Sequence, residues 1–113
     1  QALASVRAAR PLIVQADMAE IVIIDPAPHG PDRSDPGGRV ATYLARSGAS
    51  ADIAIMARSL PTVSAQLLQT ATDRQMDLIV MGAYGHSPLR EAILGGATRD
   101  MLRTTTVPVL MAH

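Results

Sequence analysis

Four short apolar runs, most of them rich in β-branched residues, recur along the 113-residue chain with stretches of helical spacing between them. They are EIVIID (20–25), ADIAIMA (51–57), DLIVMG (77–82) and VPVLM (107–111). Runs of this length bounded by glycine or proline read as strands. Ahead of the first, Leu3, Val6, Ala9, Leu12 and Ile13 fall at helical intervals. RVATYLARSG reads as a short helix stopped at Gly48, and Pro61-Thr62 introduces another with Val63, Leu67, Leu68 and Ala71 on its inner stripe. From Ser87 onward the pattern is helical again, with Met101 and Leu102 facing inward. Helix and strand therefore alternate four times. That alternation predicts an α/β fold, a doubly wound parallel sheet with helices on both faces.

The runs differ in a way that places them. EIVIID and DLIVMG are continuously apolar over 21–24 and 78–81, as expected of strands covered on both faces. ADIAIMA sets Ala51, Ile53, Ile55 and Ala57 on one side, the pattern of a strand with one exposed face. Pro108 lacks an N–H, which puts the last strand at an edge or a bulge. Residues 25–38 hold four of the eight prolines and three glycines, so they read as a mobile surface loop. No second composition regime appears, and residues 1–113 are expected to form a single domain.

Composition matters mainly for what it excludes. Ten basic and ten acidic side chains cancel, and Tyr43 and Tyr84 are the only aromatics. Neither a cationic footprint nor a base-stacking platform is available, which argues against nucleic-acid binding. No apolar run is long enough to span a bilayer and no signal peptide opens the sequence, so a cytoplasmic location is the default expectation. Cysteine is absent, removing disulfides, thiol nucleophiles and thiolate metal sites. All ten basic residues are arginine, so the lysine of a Walker-type loop is missing.

The stretch MGAYGHSPLREAILGGATRDML (81–102) contains Gly82, Gly85, Gly95 and Gly96. Gly82 and Gly85 follow DLIVM at the carboxyl end of a strand, where open α/β sheets bind ligands. Ser87 and Pro88 make a strong helix start. Gly95-Gly96 interrupts that helix and leaves Gly96 and Ala97 at the N-terminus of a second piece. Helix N-termini present unpaired N–H groups and a favourable dipole to anions. Two backbone turns facing one crevice would hold a di- or triphosphate without lysine. The same glycines also fit a plain strand-end turn and a helix kink.

These residues resemble the universal stress protein family. Gly82, two residues, Gly85, nine residues and Gly95, followed by a small residue and later by VPVL, carry the likeness, which extends from Ala2 to His113. The resemblance implies a Rossmann-like sheet of five parallel strands in the order three-two-one-four-five. It also implies a stress-response regulatory module that binds ATP or a related adenine nucleotide, with Mg²⁺ as a possible companion. Met81, Gly82, Gly85, His86, Gly95, Gly96, Ala97 and Thr98 fall on the nucleotide-contacting segment. Pairing through the last strand, Val107 to Met111, is implied either between two copies or with a tandem domain, and GGATR is similar to the second domains of tandem members.

Two departures from the family pattern stand out. Gly96 occupies the place where ATP-binding members carry Ser or Thr. The family's first strand, which ends in an Asp-Gly-Ser type turn, has no counterpart here, and Gln1-Ala2-Leu3 aligns with the helix after it. A sheet without that strand would leave two buried edges unpaired, so the 113 residues are expected to be a fragment or to take the strand from another segment.

Asp25 ends a strand at the ligand edge and is a candidate partner for a ribose hydroxyl, or else a turn residue before Pro26. His86 is a candidate phosphate contact or base, although no nucleophile stands at a fixed spacing from it. His29, His86 and His113 are too scattered for a metal site. No catalytic constellation is visible, which leaves at most weak ATP hydrolysis. The competing expectation is an interaction module that binds no nucleotide, in which the glycines only shape the fold.

Overall fold

The first two strands pair in parallel, β1 (Glu20–Ile24) with β2 (Asp52–Met56), in the register Ile21 to Ile53 and Ile23 to Ile55. The last two do the same, β3 (Ile79–Gly82) with β4 (Val109–Ala112), in the register Ile79 to Val109 and Met81 to Met111. Four helices alternate with them: α1 (Ala2–Gln15), α2 (Gly38–Arg46), α3 (Val63–Asp73) and α4 (Gly96–Thr104). These elements come from a computed structural model, which describes residues 2–26, 37–82 and 96–112. Parallel strands separated by helices are what short β-branched runs produce when each is followed by an amphipathic crossover. The fold is α/β, as the alternation predicts.

Two compact units are distinguishable, one formed by Gln1–Ala9 with Ser59–His113 and the other by Arg10–Arg58. In the second unit, Ile21, Ile23, Ile53 and Ile55 share one face of the β1–β2 sheet. Gly37, which precedes α2, lies directly against that face. A Cβ at this position would stand 2.8 Å from Ile23 Cδ1 and 3.3 Å from Ile21 Cγ2. Its φ of +81° is a second reason for glycine here. Leu44 of α2 is buried. The expected stop at Gly48 is present in full: Gly48 N–H donates to Ala45 O at 3.2 Å and Ala49 N–H to Leu44 O at 2.9 Å. This is a Schellman closure with the glycine at φ +90°.

In the first unit Thr62 caps α3, its hydroxyl accepting from Ala65 N–H at 3.1 Å. The helix ends in the same closure as α2, with Gln75 N–H donating to Thr72 O and Met76 N–H to Ala71 O. Here the left-handed position is held by Gln75 at φ +56°. Helices α3 and α4 pack on each other. The carbonyl of Pro108 accepts from Ile79 N–H at 3.0 Å, so the proline enters the ladder through its acceptor just before β4 begins.

Several expectations require correction. Leu102 is 62% exposed while Met101 is fully buried. Adjacent residues on a helix diverge by about 100°, and the buried side of this helix holds Thr98 and Met101 while Leu102 turns away from it. On β2 the exposed side is the isoleucine side, with Ile53 and Ile55 at 40% and 53%, whereas Ala54 and Met56 are half-buried. Leu12 of α1 is likewise exposed. The buried positions of α3 are Ser64, Gln66, Thr70 and Ala71, so polar side chains occupy much of the stripe assigned to Val63, Leu67 and Leu68. Strand boundaries are shorter than the apolar runs at the N-terminal side of β3 and β4. Of the loop expected at 25–38, residues 27–36 lie outside the described residues, as does the expected helix after Ser87.

Candidate functional site

The glycine-bearing segment is framed by two described ends. Strand β3 finishes on Gly82, and α4 starts on Gly96. Met81 and Gly82 are half-buried members of the β3–β4 ladder, paired with Met111 and Ala112. Gly96 and Ala97 form the first turn of α4, which carries no acidic residue and so leaves its N–H groups and dipole uncompensated by a carboxylate of its own. Thr98, one residue further, is 4% exposed and points into the packed side of the helix with Met101. Gly85, His86 and Gly95 lie outside the described residues.

A contact between residues far apart in sequence fixes the carboxyl ends of β3 and β4. The Ser5 hydroxyl of α1 is fully buried at the last rung of the ladder. It accepts from Ala112 N–H at 3.0 Å and donates to Met81 O at 2.7 Å, with Ala112 O as a second acceptor at 3.0 Å. One hydroxyl proton serves one acceptor fully at a time, and the shorter contact marks Met81 O as the preferred one. The only hint in the sequence is that Ser5 and Ala9 are small and four residues apart, so they share a helix face that allows close approach.

The carboxyl end of β1 is described separately, within the other unit. Asp25 leaves the strand at φ +49° and is exposed. Its N–H donates to Met56 O at 2.9 Å, and its Oδ1 accepts from Arg58 N–H at 3.0 Å. Of the two expected roles, these bonds bear on the turn role. Beyond β2, Gln66 gathers the following amides: its Oε1 accepts from Ser59 N–H at 2.9 Å and Leu60 N–H at 3.2 Å. A buried glutamine on an otherwise helical pattern gave no sign of this. Among the described residues no group of His, Asp and Glu comes together in a way that would hold a metal ion.

Parallel strand pairs alternating with helices make this an α/β protein. Residues 42–113 match the family model described as "Universal stress protein family". The chain belongs to the universal stress protein family. It is 47% identical over 38 residues to universal stress protein Slr1230 of Synechocystis, a segment that is 34% of this chain and 13% of that protein. It is 33% identical over 46 residues to universal stress protein MJ0577 of Methanocaldococcus jannaschii, covering 41% of this chain and 28% of the relative. The matched segments therefore span less than a third of either relative's length. No solved structure gives a significant match. Among the described residues no helix is long and apolar enough to cross a membrane.

Proposed function

We propose that this chain is a stress-response regulatory module that binds ATP or a related adenine nucleotide through the Gly82-x2-Gly85-x9-Gly95 segment. The phosphates would rest on backbone N–H groups of Gly82, Gly85, Gly95, Gly96 and Ala97, with Met81 and His86 beside them. Thr98, whose side chain is packed inward, would contribute through its backbone. One observation carries the reading: the segment runs from the carboxyl end of β3 at Gly82 to a helix N-terminus at Gly96. A helix N-terminus binds anions through backbone N–H groups, and the crevice beyond the strands' carboxyl ends is where open α/β sheets hold ligands. The absence of lysine removes the Walker-type lysine contact but leaves arginine as a cationic alternative, so the backbone reading rests on the placement of the glycines. Any Mg²⁺ would arrive with the phosphates. If β1 to β4 stand for the family's second to fifth strands, the pairs β1–β2 and β3–β4 are its neighbours two-three and four-five, as the order three-two-one-four-five requires.

Calorimetric titration of the purified full-length protein with ATP, with and without Mg²⁺, tests the reading. The expected result is saturable binding tighter than about 1 mM, equivalent to about −4 kcal/mol. Gly85→Val should abolish it with the fold intact, because a branched side chain would fill the space required by the phosphates. Heat signals indistinguishable from dilution at millimolar ATP would remove nucleotide binding from the function.

A second reading is an interaction module working through Val107 to Met111. It is favoured by β4, which is paired only with β3 among the described residues. A strand edge with unpaired N–H and C=O groups is a template for another strand.

A further inference from the structure

We infer that Asp25 is a positioning residue: its carboxylate holds the exit of β2 in place instead of serving as the sugar-binding carboxylate. The inference rests on the nucleotide reading only in naming the role that Asp25 does not have. Two hydrogen bonds run in opposite directions between the end of β1 and the end of β2. Asp25 N–H donates to Met56 O at 2.9 Å, which continues the parallel ladder one residue past Ile24. Arg58 N–H, which has moved beyond the ladder, donates to Asp25 Oδ1 at 3.0 Å. The second bond replaces a backbone acceptor that the turning chain no longer provides.

The backbone of Asp25 agrees with this role. At φ +49° it occupies the left-handed region, which Asp, Asn and Gly enter at least cost because a short polar side chain bonds locally or no Cβ intrudes. The turn swings the carboxylate back over β2. The stretch it holds leads directly into Ser59 and Leu60, whose amides are taken by Gln66. Three consecutive N–H groups are thus satisfied by side-chain oxygens, two of them by a helical residue and one by Asp25. A ribose-binding carboxylate in a Rossmann-type site, by contrast, offers its oxygens to vicinal hydroxyls.

Three variants of the full-length protein separate the possibilities, with amide hydrogen exchange at Arg58 and calorimetric ATP affinity as the readouts. Asp25→Asn keeps both the acceptor oxygen and the tolerance for positive φ. Asp25→Gly keeps only the backbone tolerance, and Asp25→Ala keeps neither. For Asn, Arg58 exchange and ATP affinity are expected within about twofold of the native protein. For Gly and Ala, Arg58 exchange is expected to rise roughly fivefold, as loss of a net hydrogen bond of about 1 kcal/mol would give. Unchanged Arg58 protection in Asp25→Gly would overturn the inference. So would a tenfold loss of ATP affinity in Asp25→Asn with Arg58 still protected, since that marks a carboxylate in contact with the ligand. If the native protein binds no ATP, the nucleotide reading falls while the exchange measurements still decide the role of Asp25.

Discussion

Ser5 and Met81, 76 residues apart, meet at 2.7 Å through a hydroxyl that donates to the β3 carbonyl while accepting the Ala112 N–H of β4. One small side chain on α1 therefore ties the helix to both strands of the sheet, at the end from which the glycine segment departs. In β3 this carbonyl belongs to the residue just before Gly82, so the position of that glycine depends on a group at the far end of the sequence.

Ser5→Ala should destabilise the first unit by about 1–3 kcal/mol, the usual consequence of leaving buried donors and acceptors unmatched. Urea unfolding followed by circular dichroism measures the change. Ser5→Val should cost more, since it adds bulk to a fully buried site as well. A value for Ser5→Ala indistinguishable from native would show that the Met81–Ala112 rung is satisfied without the hydroxyl.

The two helix closures give a prediction of opposite sign. Gly48 and Gln75 occupy equivalent left-handed positions after α2 and α3, at φ +90° and +56°. Only the second carries a Cβ. Gln75→Gly should stabilise by roughly 0.5 kcal/mol, as relief of about 1 kcal/mol of left-handed strain outweighs the added freedom of the unfolded chain. Gly48→Ala should destabilise by about 1 kcal/mol through strain alone, because no atom lies within 4 Å of its added Cβ. Thermal unfolding of the two variants should move in opposite directions.

Gly37→Ala should cost more than Gly48→Ala, about 1–2 kcal/mol. Both positions have positive φ, but at Gly37 the new methyl also meets Ile23 Cδ1 at 2.8 Å and Ile21 Cγ2 at 3.3 Å. The first neighbour is the tip of a flexible side chain and yields by rotation. The second sits on a β-branched carbon whose χ1 is stiff, so the strain is only partly relieved. Equal midpoints for the two variants would mean that the isoleucine face adjusts freely.

What the sequence made legible was whatever rests on local chemistry. The closure at Gly48, the cap at Thr62 and the start of α4 at Gly96 each follow from one residue's own preferences. The parallel α/β class follows from alternation alone. Side chains with distant partners were not legible. Ser5 reaches across 107 residues to Ala112, and Asp25 across 33 to Arg58. Gln66 occupies a buried position because its oxygen satisfies loop amides, whereas hydropathy assigned the inner stripe of α3 to leucines. Leu102 falls outside the buried side of α4, which Thr98 and Met101 occupy, and local spacing does not say to which side of Met101 that stripe extends. Gly82 closes β3 and Gly96 and Ala97 open α4, as the spacing places them in the fold, while the burial of Thr98 was not legible from its neighbours.

The interaction reading yields a test from the register of β4. Ile79 N–H donates to Pro108 O, so Pro108 directs its carbonyl toward β3. In a parallel ladder the residues that face a given neighbour alternate, which turns Leu110 toward β3 and leaves the backbone groups of Val109 and Met111 on the opposite edge. A partner strand joining that edge would use the Met111 N–H. Met111→Pro deletes the donor and leaves the bonds to β3 in place, since proline is tolerated on the open side of an edge strand. If the chain dimerises through Val107 to Met111, the variant should be monomeric by light scattering while its circular dichroism stays native. Loss of native signal together with dimers would point to a packing role for the Met111 side chain, and a folded dimeric variant would place the interface elsewhere.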